Sequence, residues 1–227
     1  MAVTTPQIIA HRGASRERPE NSLAAFERAA ALGADGVELD VHRTADGVIV
    51  VHHDPALADG RAITEVTAAQ VAALRVRGET IPTLSAVFDA IGRRIDIYCE
   101  LKGRETAAGT LALIRECSVP GRAHAVHAFD HRQIAEARRT APLIPRGVLE
   151  VSYPVDPLGA AADVDARDLW RHVEYVDEAL VRAAHAAGRR VIAWTVNDPA
   201  LMARFAAFGV DALCTDDVAL AKRTLGR

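Results

Sequence analysis

The sequence has almost no lysine. Of its 27 basic side chains only Lys102 and Lys222 are lysine and the rest are arginine, so a lysine that is retained carries information. Cysteine is scarce too: Cys99, Cys117 and Cys214 stand far apart and are odd in number. That excludes a disulfide ladder and a zinc pattern, and suits a reducing compartment. Charge of one sign is not in excess: 27 basic against 30 acidic side chains leave −3, with nothing to attract nucleic acid or an acidic membrane. No apolar run approaches the roughly 18 residues of a membrane span. The opening stretch, MAVTTPQIIAHRG, lacks the basic region and apolar core of a secretory leader, so a cytoplasmic protein is expected. There is no linker, low-complexity tract or long internal repeat, and residues 1–227 are expected to form a single domain. Half the chain is apolar and a quarter charged, which excludes disordered, collagen-like and coiled-coil classes.

What is present is an alternation of short β-rich runs with Ala-rich amphipathic stretches, the mark of βα units and a parallel sheet. QIIAHRG, GVELDV, RIDIYCELK, AHAVHAF, RGVLE, RVIAWTV and VDALCT read as buried strands, and a further strand is expected near ADVDARDL. Helices are predicted after the Asn21-Ser22 cap, with Leu23, Phe26 and Ala30 on one face, and after Asp198-Pro199, with Leu201, Phe205 and Phe208 inward. Another helix is expected to begin near Thr83. Eight parallel strands in about 250 residues is the arithmetic of an α/β TIM (β/α)8 barrel. The extra run VIVVHHD follows strand two after a turn containing Asp46-Gly47, a hairpin signal, and must be antiparallel to it. A turn centred on Ala45 and Asp46 would set Glu38 opposite His53. Residues 55–82 then form a small insertion.

Chemistry in such a barrel sits at the C-terminal ends of the strands. There the sequence puts His11-Arg12-Gly13, Glu38 and Asp40, His53-Asp54, and Glu100 with Lys102. Period-two alternation shares a face between Glu38 and Asp40, and another between Glu100 and Lys102. The flanking Val37, Leu39 and Val41 favour burial of the first pair over a solvated face. Buried carboxylates are costly unless paired or bound to a metal. Glu100 and Lys102 alone could be a structural ion pair in the barrel mouth, but three carboxylates against one lysine leave a surplus that a hard divalent cation would neutralise. His42, His52, His127 and His131 read as structural or surface residues.

Two histidines, a cation and two basic side chains suggest phosphoryl transfer at a diester. One imidazole would deprotonate the nucleophile while the other protonates the leaving alkoxide, and Arg12 and Lys102 would balance phosphate charge. The sequence has no P-loop, no dinucleotide fingerprint and no G-x-S-x-G elbow, which removes support for nucleotide hydrolysis, hydride transfer and serine hydrolysis.

On IAHRGASRERPENSLAAF, GADGVELDVHRTADGVIVVHHDPAL, IPTL, YCELK, AWTVND and GVDALCTDD, spanning residues 9–217, the chain resembles the glycerophosphodiester phosphodiesterase family. The combination of HRG, PEN, Glu-x-Asp and a His-Asp pair is specific where each piece is not. The resemblance implies a metal-dependent TIM barrel that hydrolyses glycerophosphodiesters to glycerol 3-phosphate and an alcohol. It implies His11 and His53 as the acid/base pair and Glu38, Asp40 and Glu100 as ligands of Mg²⁺ or Ca²⁺. It further implies Arg12 and Lys102 as phosphate contacts, supported by Glu20 and Asn21. Phe129 and Trp194 are candidates to wall the glycerol pocket. Ser85 and Val218 depart from the family pattern, and residues 151–175 fit it poorly; a strand and a loop over the pocket are expected there. Two other readings are a phospholipase D-like activity on lysophospholipids and a non-catalytic barrel that binds phosphorylated glycerol. The insertion at 55–82 has no exposed aromatic or long apolar run, which favours a soluble head-group substrate, and two proton-transfer groups would be idle in a binding module.

Overall fold

A computed structural model describes residues 5–227; the first four residues lie outside them. The chain runs β1 (Gln7–His11), α1 (Leu23–Ala31), β2 (Gly36–Arg43), β3 (Ile49–Val51), α2 (Ala68–Ala72), β4 (Arg75–Val76), β5 (Glu79–Thr80), α3 (Leu84–Ile91), β6 (Asp96–Leu101) and α4 (Ala107–Cys117). It continues through β7 (Ala125–Ala128), α5 (His131–Thr140), β8 (Arg146–Glu150), α6 (Gly159–Asp163), β9 (Asp168–His172), α7 (Glu178–Ala186), β10 (Arg190–Trp194), α8 (Pro199–Phe208), β11 (Ala212–Thr215) and α9 (Val218–Thr224). Strands β1, β2, β6, β7, β8, β9, β10 and β11 pair in parallel in that order, and β11 returns to β1, so the sheet closes into the expected (β/α)8 barrel. No helix among the described residues is long and apolar enough to cross a membrane.

Local chemistry sets the helix starts. Ser22 caps α1 by accepting from the Ala25 amide, Thr83 caps α3 in the same way, and Asp198 caps α8 with Pro199 in its first turn. Gly209 ends α8 in the left-handed region, at φ +84°. Strand alternation then sorts the side chains into two cores. Ile8, Val37, Leu39, Ile97 and Val126 face outward and pack with Phe26, Phe88 and Phe205 of the helices. Ile9, Tyr98, Leu149, Trp170 and Ile192 face inward and fill the barrel. Phe26 is fully buried in the outer layer. Phe26→Ala should lower unfolding free energy by about 3–5 kcal/mol, read from urea denaturation; a loss below about 1 kcal/mol would show that the layer collapses around the gap.

Two expectations need correction. The hairpin pairs Val41 with Val51, His42 with Val50 and Arg43 with Ile49, one residue off the register that would set Glu38 opposite His53. The cause is a three-residue turn, Ala45 to Gly47, with Gly47 at φ +86° and the Thr44 amide donating to the Val48 carbonyl at 3.0 Å. The His52 amide therefore donates to the Asp40 carbonyl. The strand placed near ADVDARDL begins later, at Asp168, because α6 and a turn with Asp165 at φ +47° occupy its first half. The buried charges of Asp168 and Arg171 hide that strand's apolar pattern.

Residues 55–82 carry a small core of their own, in which Leu57, Ile63, Val66, Val71 and Ile81 pack on Val50. The 151–158 loop is pinned by Arg171, which is buried, sits 2.7 Å from Glu150, and donates to the carbonyls of Ser152 and Pro157.

Candidate active site

The alternation that sends Val37, Leu39 and Val41 outward sends Glu38 and Asp40 into the barrel mouth. Outward Cys99 and Leu101 do the same for Glu100, and outward Val126 and Ala128 for His127. The strand register brings these residues side by side: His11 is level with Glu38, Asp40 with Glu100, and Glu100 with His127. All of them but Asp40 line a pocket of about 390 Å³, open to solvent on one side. Its polar half holds His11, Arg12, Glu38, His53, Glu100 and Lys102. His127, Phe129, Leu149, Trp170 and Trp194 form the other half.

His11 is held through Nδ1, 2.7 Å from Asp216 Oδ1 at the end of β11, which leaves Nε2 facing the pocket, 4.0 Å from Glu38. Asp216 is itself fixed by Asn197 Nδ2 at 2.6 Å and the Ser15 hydroxyl at 3.1 Å. Burial works against a charge on His11, yet the hydrogen bond to Asp216 and the field of Glu38 outweigh it together with Arg12, and its pKa is raised. The same pairing holds Asp216 low against its own burial.

Arg12 and Gly13 both take left-handed backbone, at φ +54° and +84°. This tight turn aims the Arg12 amide at Glu38, 3.1 Å away. A Cβ at Gly13 would come within 2.7 Å of the Ala25 Cβ, so glycine is required there. The Arg12 guanidinium meets Glu20 at 3.0 Å and Asp40 at 3.2 Å. Asn21 donates to Asp40 from 2.8 Å. Glu20 and Asn21 thus brace Arg12 and Asp40 from behind and do not line the pocket.

His53 Nδ1 lies 2.8 Å from Asp54, and its Nε2 lies 3.1 Å from Lys102 Nζ. An ammonium can only donate, so Nε2 is the acceptor at that contact. His42, from β2, holds the His53 carbonyl at 3.1 Å.

Glu38, Asp40 and Glu100 are all buried. Lys102 stands 3.3 Å from Glu100 and 3.8 Å from Asp40. Burial opposes ionisation of Glu38, but His127, His11 and Arg12 around it keep its pKa low. Burial and the Glu38 charge raise Asp40. Glu100 is pushed up to about 8 by burial and by the Asp40 and Glu38 carboxylates, which Lys102 only partly offsets. The donor atoms of Glu38, Glu100 and His127 all lie within 4.8 Å of one another, close enough to share a cation, while Asp40 is turned to Arg12 and Asn21. Three buried carboxylates and an imidazole suit a divalent ion.

Phe129 and Trp194 meet at 5.7 Å and 72°, forming an aromatic wall of the same pocket. Of the poorly patterned 151–175 region, Trp170 reaches the pocket. Asp216 is not among the residues the sequence points to, and His127 reads there as structural or surface. The first stands in GVDALCTDD, at the end of a strand. The second has the same apolar flanks as Glu38, and that was the signal that could have found it.

A sequence profile described as the glycerophosphoryl diester phosphodiesterase family matches residues 11–220. The chain belongs to that family. It is an enzyme, a phosphodiesterase. A glycerophosphodiester phosphodiesterase of Caldanaerobacter subterraneus subsp. tengcongensis is 33% identical over 92% of this chain and 93% of its own. A probable glycerophosphodiester phosphodiesterase 2 of Mycobacterium tuberculosis is 33% identical over 96% and 89%. Among solved structures, an Oleispira antarctica phosphodiesterase in complex with its product sn-glycerol 3-phosphate is 28% identical, with a TM-score of 0.92 over 98% of both chains.

Proposed function

We propose that the chain hydrolyses glycerophosphodiesters to glycerol 3-phosphate and an alcohol in the cytoplasm, as one domain over residues 1–227 and with a divalent cation. The observation that carries this reading is the pair of histidines facing one pocket with opposite kinds of partner, a carboxylate at His11 and an ammonium at His53. His11 is disposed to hold a proton beside Asp216, and His53 presents an accepting Nε2 next to Lys102.

His53 Nε2 takes the proton of the attacking hydroxyl, whether of water or of the substrate's own 2-hydroxyl. His11 Nε2 gives its proton to the leaving alkoxide. Arg12 and Lys102 hold the non-bridging phosphate oxygens, and Glu20 and Asn21 keep Arg12 and Asp40 in place. Glu38 and Glu100, with Asp40 beside them, would hold the cation. Once bound, it would polarise a phosphate oxygen and ease ionisation of the nucleophile. Phe129 and Trp194 wall the glycerol carbons and exclude water from that side. The product bound by the Oleispira antarctica relative is the product this reading assigns here.

The test is a coupled assay for glycerol 3-phosphate from glycerophosphocholine and glycerophosphoethanolamine. Release should vanish in EDTA and return with a divalent ion. Release that EDTA leaves unchanged would remove the cation from the reading, and silence under every condition would remove the substrate.

A further inference from the structure

Among the described residues, His127 is the one buried histidine with no hydrogen bond at either ring nitrogen. Buried imidazoles are normally hydrogen-bonded. The other two buried histidines follow that rule: His42 Nε2 is 3.1 Å from the His53 carbonyl, and His124 Nδ1 accepts from the Ile97 amide at 3.1 Å. His127 is 1% exposed and its Nδ1 is enclosed without a partner. Its Nε2 is 3.8 Å from Glu38 Oε1, beyond hydrogen-bonding reach, and the ring lines the pocket.

The ring is also fixed. It stacks on Trp170 at 4.1 Å with the planes 9° apart, which holds its plane, and Nε2 lies on the Glu38 side. A nitrogen without a hydrogen bond inside 3.5 Å, beside two carboxylate oxygens and all within 4.8 Å of one another, is a mixed nitrogen–oxygen donor set. Ca²⁺ and Mg²⁺ favour oxygen-only surroundings, whereas imidazole suits first-row transition ions.

We propose that His127 supplies a nitrogen ligand to the cation held by Glu38 and Glu100. The ion this chain prefers is then of the Mn²⁺-to-Zn²⁺ series, in place of the Mg²⁺ or Ca²⁺ that the resemblance implies. The inference rests on the cation-dependent reading above, and its test separates the two.

EDTA-treated wild type and His127→Gln are titrated calorimetrically with Co²⁺, Mn²⁺, Mg²⁺ and Ca²⁺, with circular dichroism to confirm folding. Wild type should bind Co²⁺ at least about tenfold more tightly than Ca²⁺, and the variant should lose about tenfold or more for Co²⁺ with Ca²⁺ little changed. Pulsed electron paramagnetic resonance of the Mn²⁺ form should show ¹⁴N modulation that the variant lacks. Equal Co²⁺ affinity in the two proteins, or wild type without nitrogen modulation, overturns the inference and leaves the cation reading intact. A wild type that binds none of the four ions sinks both. If His127→Gln does not fold, the same spectrum from His11→Ala and His53→Ala decides. Modulation that survives both belongs to the third imidazole of the pocket, and modulation that either abolishes assigns the nitrogen elsewhere.

Discussion

Asp216→Asn should lower kcat by about 10²–10⁴ while leaving KM for a glycerophosphodiester nearly unchanged. Asp216 is a positioning residue: it touches His11 Nδ1 at 2.7 Å and lines no part of the pocket. An ionised carboxylate only accepts, so it forces the proton onto Nδ1 and leaves Nε2 to exchange protons with the substrate. An asparagine amide can turn its N–H₂ toward Nδ1 and select the opposite tautomer. The pH profile gives a readout that mere loosening would not move. Burial pulls the His11 pKa down, Asp216 and Glu38 pull it up, and Arg12 opposes them. Removing the Asp216 charge leaves burial less opposed, so the His11 pKa must fall. If His11 acts as the proton donor, the alkaline limb of kcat against pH moves to lower pH in the variant. Full kcat with an unmoved limb would remove Asp216 from the mechanism.

The parts of this molecule that could be read from its sequence are those where one local rule governs. Ser22, Thr83 and Asp198 start helices because a side-chain oxygen at that point satisfies a free amide, whatever the rest of the chain does. Glu38 and Glu100 could be placed inside the barrel because their apolar neighbours must face the helices. Legibility ended where two rules competed. At the hairpin, Asp46-Gly47 fits both a two-residue and a three-residue turn, and only the left-handed Gly47 with its Thr44 amide bond selects the second. In β9 the buried ion pairs of Asp168 with Arg167 and of Arg171 with Glu150 replace apolar residues, so the strand gave no periodic signal. His127 reads as structural in the sequence because an imidazole flanked by Val126 and Ala128 is usually a satisfied core residue. Its lack of a partner is visible only once the barrel has closed around it.

The polar half of the pocket carries more acid than it can ionise at once, and this leads to a second large effect. Glu38 stays charged because His127, His11 and Arg12 surround it, so the penalty of like charge falls on Asp40, which is raised, and on Glu100, held at about 8. Without a cation, Glu100 therefore keeps its proton at neutral pH. A carboxylate whose folded pKa lies above its ordinary value of 4.5 makes the fold bind more protons than the unfolded chain. The ion-free protein should accordingly lose thermal stability as pH rises from about 5 to 8, and a bound cation should restore it by replacing the proton. The Tm gap between the ion-saturated and EDTA-treated protein should widen over that range. Ion affinity should fall about tenfold for each pH unit below 8, with about one proton released per ion at pH 7. Calorimetric titration in two buffers of different ionisation enthalpy reads that proton directly. Glu100→Gln should flatten the Tm slope in EDTA and cost the ion most of its affinity, because the amide is neutral at every pH and offers one weaker oxygen. A wild-type affinity independent of pH, with no proton released, would mean that Glu100 is already ionised beside Lys102 and that the pair is a structural salt bridge.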